Sequence, residues 1–104
     1  MNYIDTLATR IEQSLSEELR PKTNAQSLYR LYALLALVKG REVTLENVHD
    51  AWSSWKSATD PRHESIRPFT ELDEQTREKD RPYVTAIREL AVQLETKQPG
   101  TDVG

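Results

Sequence analysis

Cysteine is absent from this chain, and glycine and phenylalanine nearly so: the three glycines are Gly40, Gly100 and Gly104, and the one phenylalanine is Phe69. The first absence excludes disulfides and zinc–thiolate sites. Glycines so scattered leave no glycine-rich loop to cradle a phosphate. The longest apolar-rich run, Leu28 to Val38, is interrupted by Arg30 and is too short to cross a bilayer. The opening Met-Asn-Tyr-Ile-Asp-Thr has no basic region followed by an apolar run, so no signal peptide is read and a cytoplasmic location is expected. Excess positive charge is also missing: the formal net charge is −3, which disfavours a nucleic-acid partner and a double-stranded DNA reader in particular.

What is present is helical pattern. The 104 residues suffice for one domain, and with 37% hydrophobic and 30% charged residues every apolar stripe matters to its core. Ile4, Leu7, Ile11, Leu15 and Leu19 recur at helical steps, which predicts a helix from residue 3 to Leu19 or Arg20, ended by Pro21. Asn24 is placed to cap a second helix from Ala25 to Lys39. Its stripe is Leu28, Leu31, Leu34, Leu35 and Val38, widened almost around the helix by Tyr29, Tyr32, Ala33, Ala36 and Leu37, which makes it the candidate central core helix, with Tyr29 and Tyr32 at the edge and their hydroxyls in water. Gly40 suits the left-handed end of that helix. Thr44 caps a third, carrying Leu45, Val48, Trp52 and Trp55 to about Ala58.

Residues 60–73 have no clean period, although Ile66, Phe69 and Leu72 could turn inward together. Asp73 is a helix cap. Pro82 then either kinks the helix or follows Asp80 in the first turn of a new one, which runs through Val84, Ile87, Leu90, Ala91 and Leu94. The expected architecture is a small all-α bundle of four to five helices over residues 1–95, with a disordered tail at 96–104.

The chemistry-bearing residues are few. His49 and His63 show no metal-ligand spacing, and Ser65 near His63 has no strained turn or oxyanion hole around it. No cofactor or metal is called for, and the chain reads as a non-enzyme. His49 reads as a residue beside the core stripe, bonded to backbone or to a carboxylate. Trp52 reads as core and Trp55 as half exposed. Arg62, Arg67, Arg77 and Arg81 flank the irregular segment, where with Trp55 or Phe69 they could hold a phosphate and stack a base. The alternative is that they pair with the acids around them, which are equally abundant.

Two motifs resemble the RyR domain, the small helical repeat named from ryanodine receptors and found also in bacterial and phage proteins. Val48-His49 with Trp52 matches the first; His63, Ile66, Pro68, Phe69 and Leu72, followed by Arg77 and Asp80-Arg81, match the second. The resemblance covers about residues 45–92. Glu64 stands where the family usually has proline, and no glycine-tryptophan hairpin lies between the motifs. The whole chain is also similar to short proteins of actinobacterial phages. The RyR resemblance implies a non-enzymatic module binding a phosphorylated, nucleotide-like small molecule, such as a sensor or phage-encoded sponge of nucleotide signals. Its site would be Arg62, His63, Arg67, Phe69, Arg77, Arg81 and Trp55. The rival is a helical protein–protein adaptor, meeting a host protein or itself as a homodimer.

Overall fold

A computed structural model describes residues 2–20 and 25–96, and these form a helical bundle with no strand among them. The helices are α1 (Tyr3–Ser14), α2 (Gln26–Lys39), α3 (Leu45–Ser57), α4 (Glu74–Glu78) and α5 (Arg81–Thr96), with short 3-10 turns at Glu17–Leu19, Gly40–Glu42 and Phe69–Glu71. The all-α expectation holds, and α2 is the central helix, packed against α1, α3 and α5.

The first helix ends earlier than its apolar spacing predicts. Ser14 turns its hydroxyl back onto the Ile11 carbonyl at 2.7 Å, and Leu15 is extended at φ −93°, ψ 147°. Serine competes in this way with the backbone hydrogen bonds of a helix. Arg20 then folds back, its Nε and Nη2 donating to the Leu15 carbonyl at 3.2 and 3.0 Å. Leu15 stays buried and Leu19 partly so, because the 3-10 turn returns the chain to the same side.

On α2 the buried face differs from the leucine stripe. Leu28, Tyr29, Tyr32, Ala33 and Ala36 are inside, while Leu34, Leu37 and Val38 are exposed, Val38 at 69%. Ala33 and Ala36 give the small contact surface that lets neighbouring helices approach. The tyrosines fill the space beside them. Tyr29 meets Tyr32 edge-on at 6.1 Å between centroids, and Tyr32 meets Tyr83 of α5 at 5.7 Å. Neither Tyr29 nor Tyr32 is therefore an edge residue with its hydroxyl in water. Burial pushes the Tyr29 hydroxyl up to about 12, and it has no hydrogen-bond partner among the described residues.

The ends of α2 and α3 follow from local chemistry. Ala25 occupies the cap position of α2 without a side-chain bond, and Asn24 lies outside the described residues, as does the expected tail from residue 97. Gly40 closes α2 at φ 61°, ψ −136°, a conformation that strains any residue with a Cβ. Thr44 and Asn47 form a reciprocal capping box at 3.1 and 3.0 Å. On α5, Ile87 and Val84 are almost fully buried. Burying a side chain such as Ile87 contributes about 1.5–3 kcal/mol.

Between α3 and α5 the chain does not continue one helix through Pro82. Asp73 caps α4, its carboxylate accepting from the Thr76 N–H at 2.7 Å. The chain turns at Lys79-Asp80 and restarts at Arg81, with Pro82 in the first turn, where a missing N–H costs nothing. Leu72 is buried, and Ile66 and Phe69 partly so, which holds the irregular segment over the end of α3.

Candidate functional site

A cavity of about 290 Å³ opens where this segment meets the bundle. Leu28 and Tyr32 of α2, His49 and Trp52 of α3, and Tyr83 of α5 line it. His63, Ser65, Thr76, Lys79 and Asp80 close it from the irregular segment, α4 and the turn after it.

His49 is fixed before it can serve a ligand. It is 3% exposed, and its Nε2 lies 2.7 Å from the Arg67 carbonyl, so Nε2 carries the hydrogen and donates. The Ser53 hydroxyl lies 3.4 Å from the same nitrogen. This bond ties the irregular segment to α3. At His63 the opposite nitrogen is engaged: Nδ1 accepts from the Ser65 backbone N–H at 3.0 Å, so a neutral His63 carries its hydrogen on Nε2. The Trp52 ring lies between the two histidines, 6.1 Å from His49 and edge-on to His63 at 5.1 Å.

Asp80 is the carboxylate of the cavity, next to Lys79. Its backbone carbonyl accepts from the N–H groups of Tyr83 and Val84, both at 3.1 Å, and so begins α5. Its carboxylate makes no hydrogen bond or ion pair with any described residue. Burial raises this carboxyl above its ordinary value of 3.8, and the nearby His49 offsets the rise only in part. Burial first and then Asp80 push up the hydroxyls of Tyr32 and Tyr83. The Tyr83 hydroxyl donates to the Leu19 carbonyl.

The arginines do not converge on this cavity, and none of the four lines it. Arg77 donates to the carbonyls of Phe69 and Thr70 at 3.2 and 3.0 Å, with its guanidinium 4.7 Å from the Phe69 centroid. Arg81 forms a two-pronged pair with Glu78 at 3.1 and 2.9 Å. Arg67 donates to the Glu64 carbonyl at 2.9 Å and lines a shallow depression with Glu64, Glu71 and Asp73, an acidic setting for a phosphate. Arg62 is exposed. Trp55 lies in a different groove, with Ile4, Leu31, Leu34 and Lys56. Of the seven predicted site residues only His63 lines this cavity; Arg67 and Arg77 donate to nearby carbonyls, and Arg81 to Glu78.

Sequence reasoning missed Tyr32, Tyr83, Lys79 and Asp80 as site residues, and read His49 and Trp52 as core alone. His49, Trp52, His63 and Asp80 all line the cavity. Among the described residues, no group of three His, Asp or Glu side chains is placed to hold a metal, and no helix is long and apolar enough to cross a membrane.

Fold and site together define a small all-helical domain with one aromatic-walled, carboxylate-bearing cavity. The chain belongs to the DUF7701 family, a domain of unknown function, whose sequence profile matches residues 2–92. Searches of curated proteins and of solved structures returned no match.

Proposed function

We propose that this domain is a non-enzymatic binding module for a small nucleotide-like compound whose ring enters the inner cavity. The observation that carries the reading is the convergence of Trp52, Tyr32, Tyr83, His63 and Asp80, from five separate parts of the fold, on one concave site. Mostly apolar walls with a few converging polar groups are what small-molecule sites offer. The RyR-like spacing supports the same reading, since its residues meet there. Lys79 on the rim is the cation that a phosphate on the ligand would reach. Binding without turnover fits His63, whose Nδ1 is taken by a backbone N–H rather than by a hydroxyl it could activate. Such a module would act in the cytoplasm, as a sensor or a sponge of a nucleotide signal, including one encoded by a phage.

Calorimetric titration of the full chain with nucleoside monophosphates and ADP-ribose tests the proposal. Saturable heat from at least one compound is expected. Flat traces across the panel at millimolar concentration would overturn it.

One observation favours a second reading, self-association or adaptor binding. Leu34, Leu37 and Val38 leave the outer face of α2 exposed and apolar, next to a groove of about 830 Å³. Sedimentation across a hundredfold dilution distinguishes it: a persistent dimer supports this reading, and a monomer throughout removes self-association.

A further inference from the structure

The cavity's polar groups define the kind of ring it accepts. Asp80 lines a space walled by Trp52, Tyr32 and Tyr83, and the protein supplies no hydrogen bond to its carboxylate among the described residues. A partly buried carboxylate with no protein donor is open to water or to a ligand group that donates to it. Two neighbouring donors are committed elsewhere. Nε2 of His49 is bound to the Arg67 carbonyl, and the Tyr83 hydroxyl to the Leu19 carbonyl. Lys79 makes no ion pair with Asp80.

Helix capping does not explain the carboxylate either. Asp73, at the same position before α4, accepts from the Thr76 N–H; Asp80 leaves its helix to be started by its own backbone carbonyl. Two parallel acceptors among aromatic faces are complementary to a flat group carrying two adjacent N–H donors, the geometry of a carboxylate–guanidine pair. A cavity of about 290 Å³ is at the small end for ligand sites, so it holds one ring system rather than a dinucleotide.

We infer that the cavity selects guanine-type rings, with Asp80 accepting from the ring N–H and the neighbouring exocyclic amino group while Trp52 and the tyrosines enclose the ring. This rests on the small-molecule reading of the same cavity and adds its specificity. An adenine ring presents an acceptor where guanine presents its ring N–H, so it meets Asp80 with a repulsive contact. Hypoxanthine keeps the ring N–H but lacks the amino group, and is intermediate.

The test uses the full chain and three ligands that differ only at this edge: GMP, IMP and AMP. Tighter binding of GMP than IMP, and of IMP than AMP, is expected, with at least tenfold between the first and the last. Asp80→Asn keeps the side chain's size and is expected to weaken GMP at least tenfold while changing AMP little. Equal or tighter binding of AMP, or GMP affinity unchanged in Asp80→Asn, overturns the inference while leaving a binding module in place. No binding by any of the three overturns it together with the nucleotide reading. The wild-type comparison stands without any variant, so poor folding of Asp80→Asn does not remove the test.

Discussion

Asp73 and Asp80 each stand one residue before a helix, and their carboxyls meet opposite fates. Asp73 is exposed, and hydrogen bonding by the Thr76 side chain first and its backbone N–H second lowers its pKa; Asp80 is partly buried without a hydrogen-bond partner among the described residues, and burial raises it. The contrast extends to the two sides of the segment that carries them. On the outer side, Arg67, Arg77 and Arg81 are occupied by nearby carbonyls and by Glu78. On the inner side, His63, Asp80, Tyr32 and Tyr83 surround a cavity. Charge density is the property that is easy to see in a sequence, and here it marks the side that is already satisfied. The unfilled chemistry lies where charge is sparse and partly buried.

The largest effect that would break this contrast comes from the bond joining the two sides. His49→Ala removes the donor to the Arg67 carbonyl and leaves a void beside Trp52 and Phe69. A loss of about 3 kcal/mol is expected in urea denaturation. A loss under about 1 kcal/mol would mean that the segment is held by Leu72 and its neighbours alone.

Arg77→Lys comes next. A lysine ammonium cannot span the Phe69 and Thr70 carbonyls while lying flat on the Phe69 ring, so a loss of about 1 kcal/mol is expected in the same assay. Nucleotide affinity should stay unchanged, and a drop in affinity without a drop in stability would return Arg77 to the site.

The aspartates should then respond with opposite signs. A carboxyl raised in the folded state contributes most to stability below its unfolded value, near 3.8, and that contribution is lost as pH rises through the folded value. Asp80→Asn removes this loss and should raise the urea midpoint modestly at pH 7. A lowered carboxyl behaves in reverse, stabilising above 3.8 and ceasing to as pH falls through its folded value. Asp73→Ala should therefore lower the midpoint at pH 7. Both differences should shrink at pH 3, and shifts of the same sign at pH 7 would end the contrast.

The smallest effect is expected from Arg62→Ala and Arg81→Ala. Arg62 is exposed, and the pair between Arg81 and Glu78 is half exposed on both sides. Such pairs contribute little. Neither thermal melting nor ligand titration should distinguish these variants from the wild type.

Much of the bundle is legible from spacing. Thr44, Asp73 and the restart at Asp80-Arg81-Pro82 follow from capping and proline chemistry, which acts within four residues. The buried face of α2 is only partly legible in this way. The wide stripe contains Leu28, Tyr29, Tyr32, Ala33 and Ala36, which the packing buries, but it also contains Leu34, Leu37 and Val38, which stay exposed because close crossings need small residues and the tyrosines fill what remains. The site fails to show for a related reason. Tyr32, His49, His63 and Asp80 are brought together by tertiary packing, and nothing local to Asp80 separates it from Asp73.

The central claim is that ligand chemistry belongs to the inner cavity and not to the arginine face. A two-dimensional ¹H–¹⁵N titration of the full chain with GMP tests it most directly, because the Trp52 and Trp55 indole N–H groups and the arginine Nε–H groups report from different sides of the molecule. The account predicts saturable shifts at the Trp52 indole and at the backbone of His63, Asp80 and Tyr83, with Trp55 and the Nε–H groups of Arg62, Arg67, Arg77 and Arg81 unmoved. Saturable shifts at those arginines with Trp52 unmoved would contradict it.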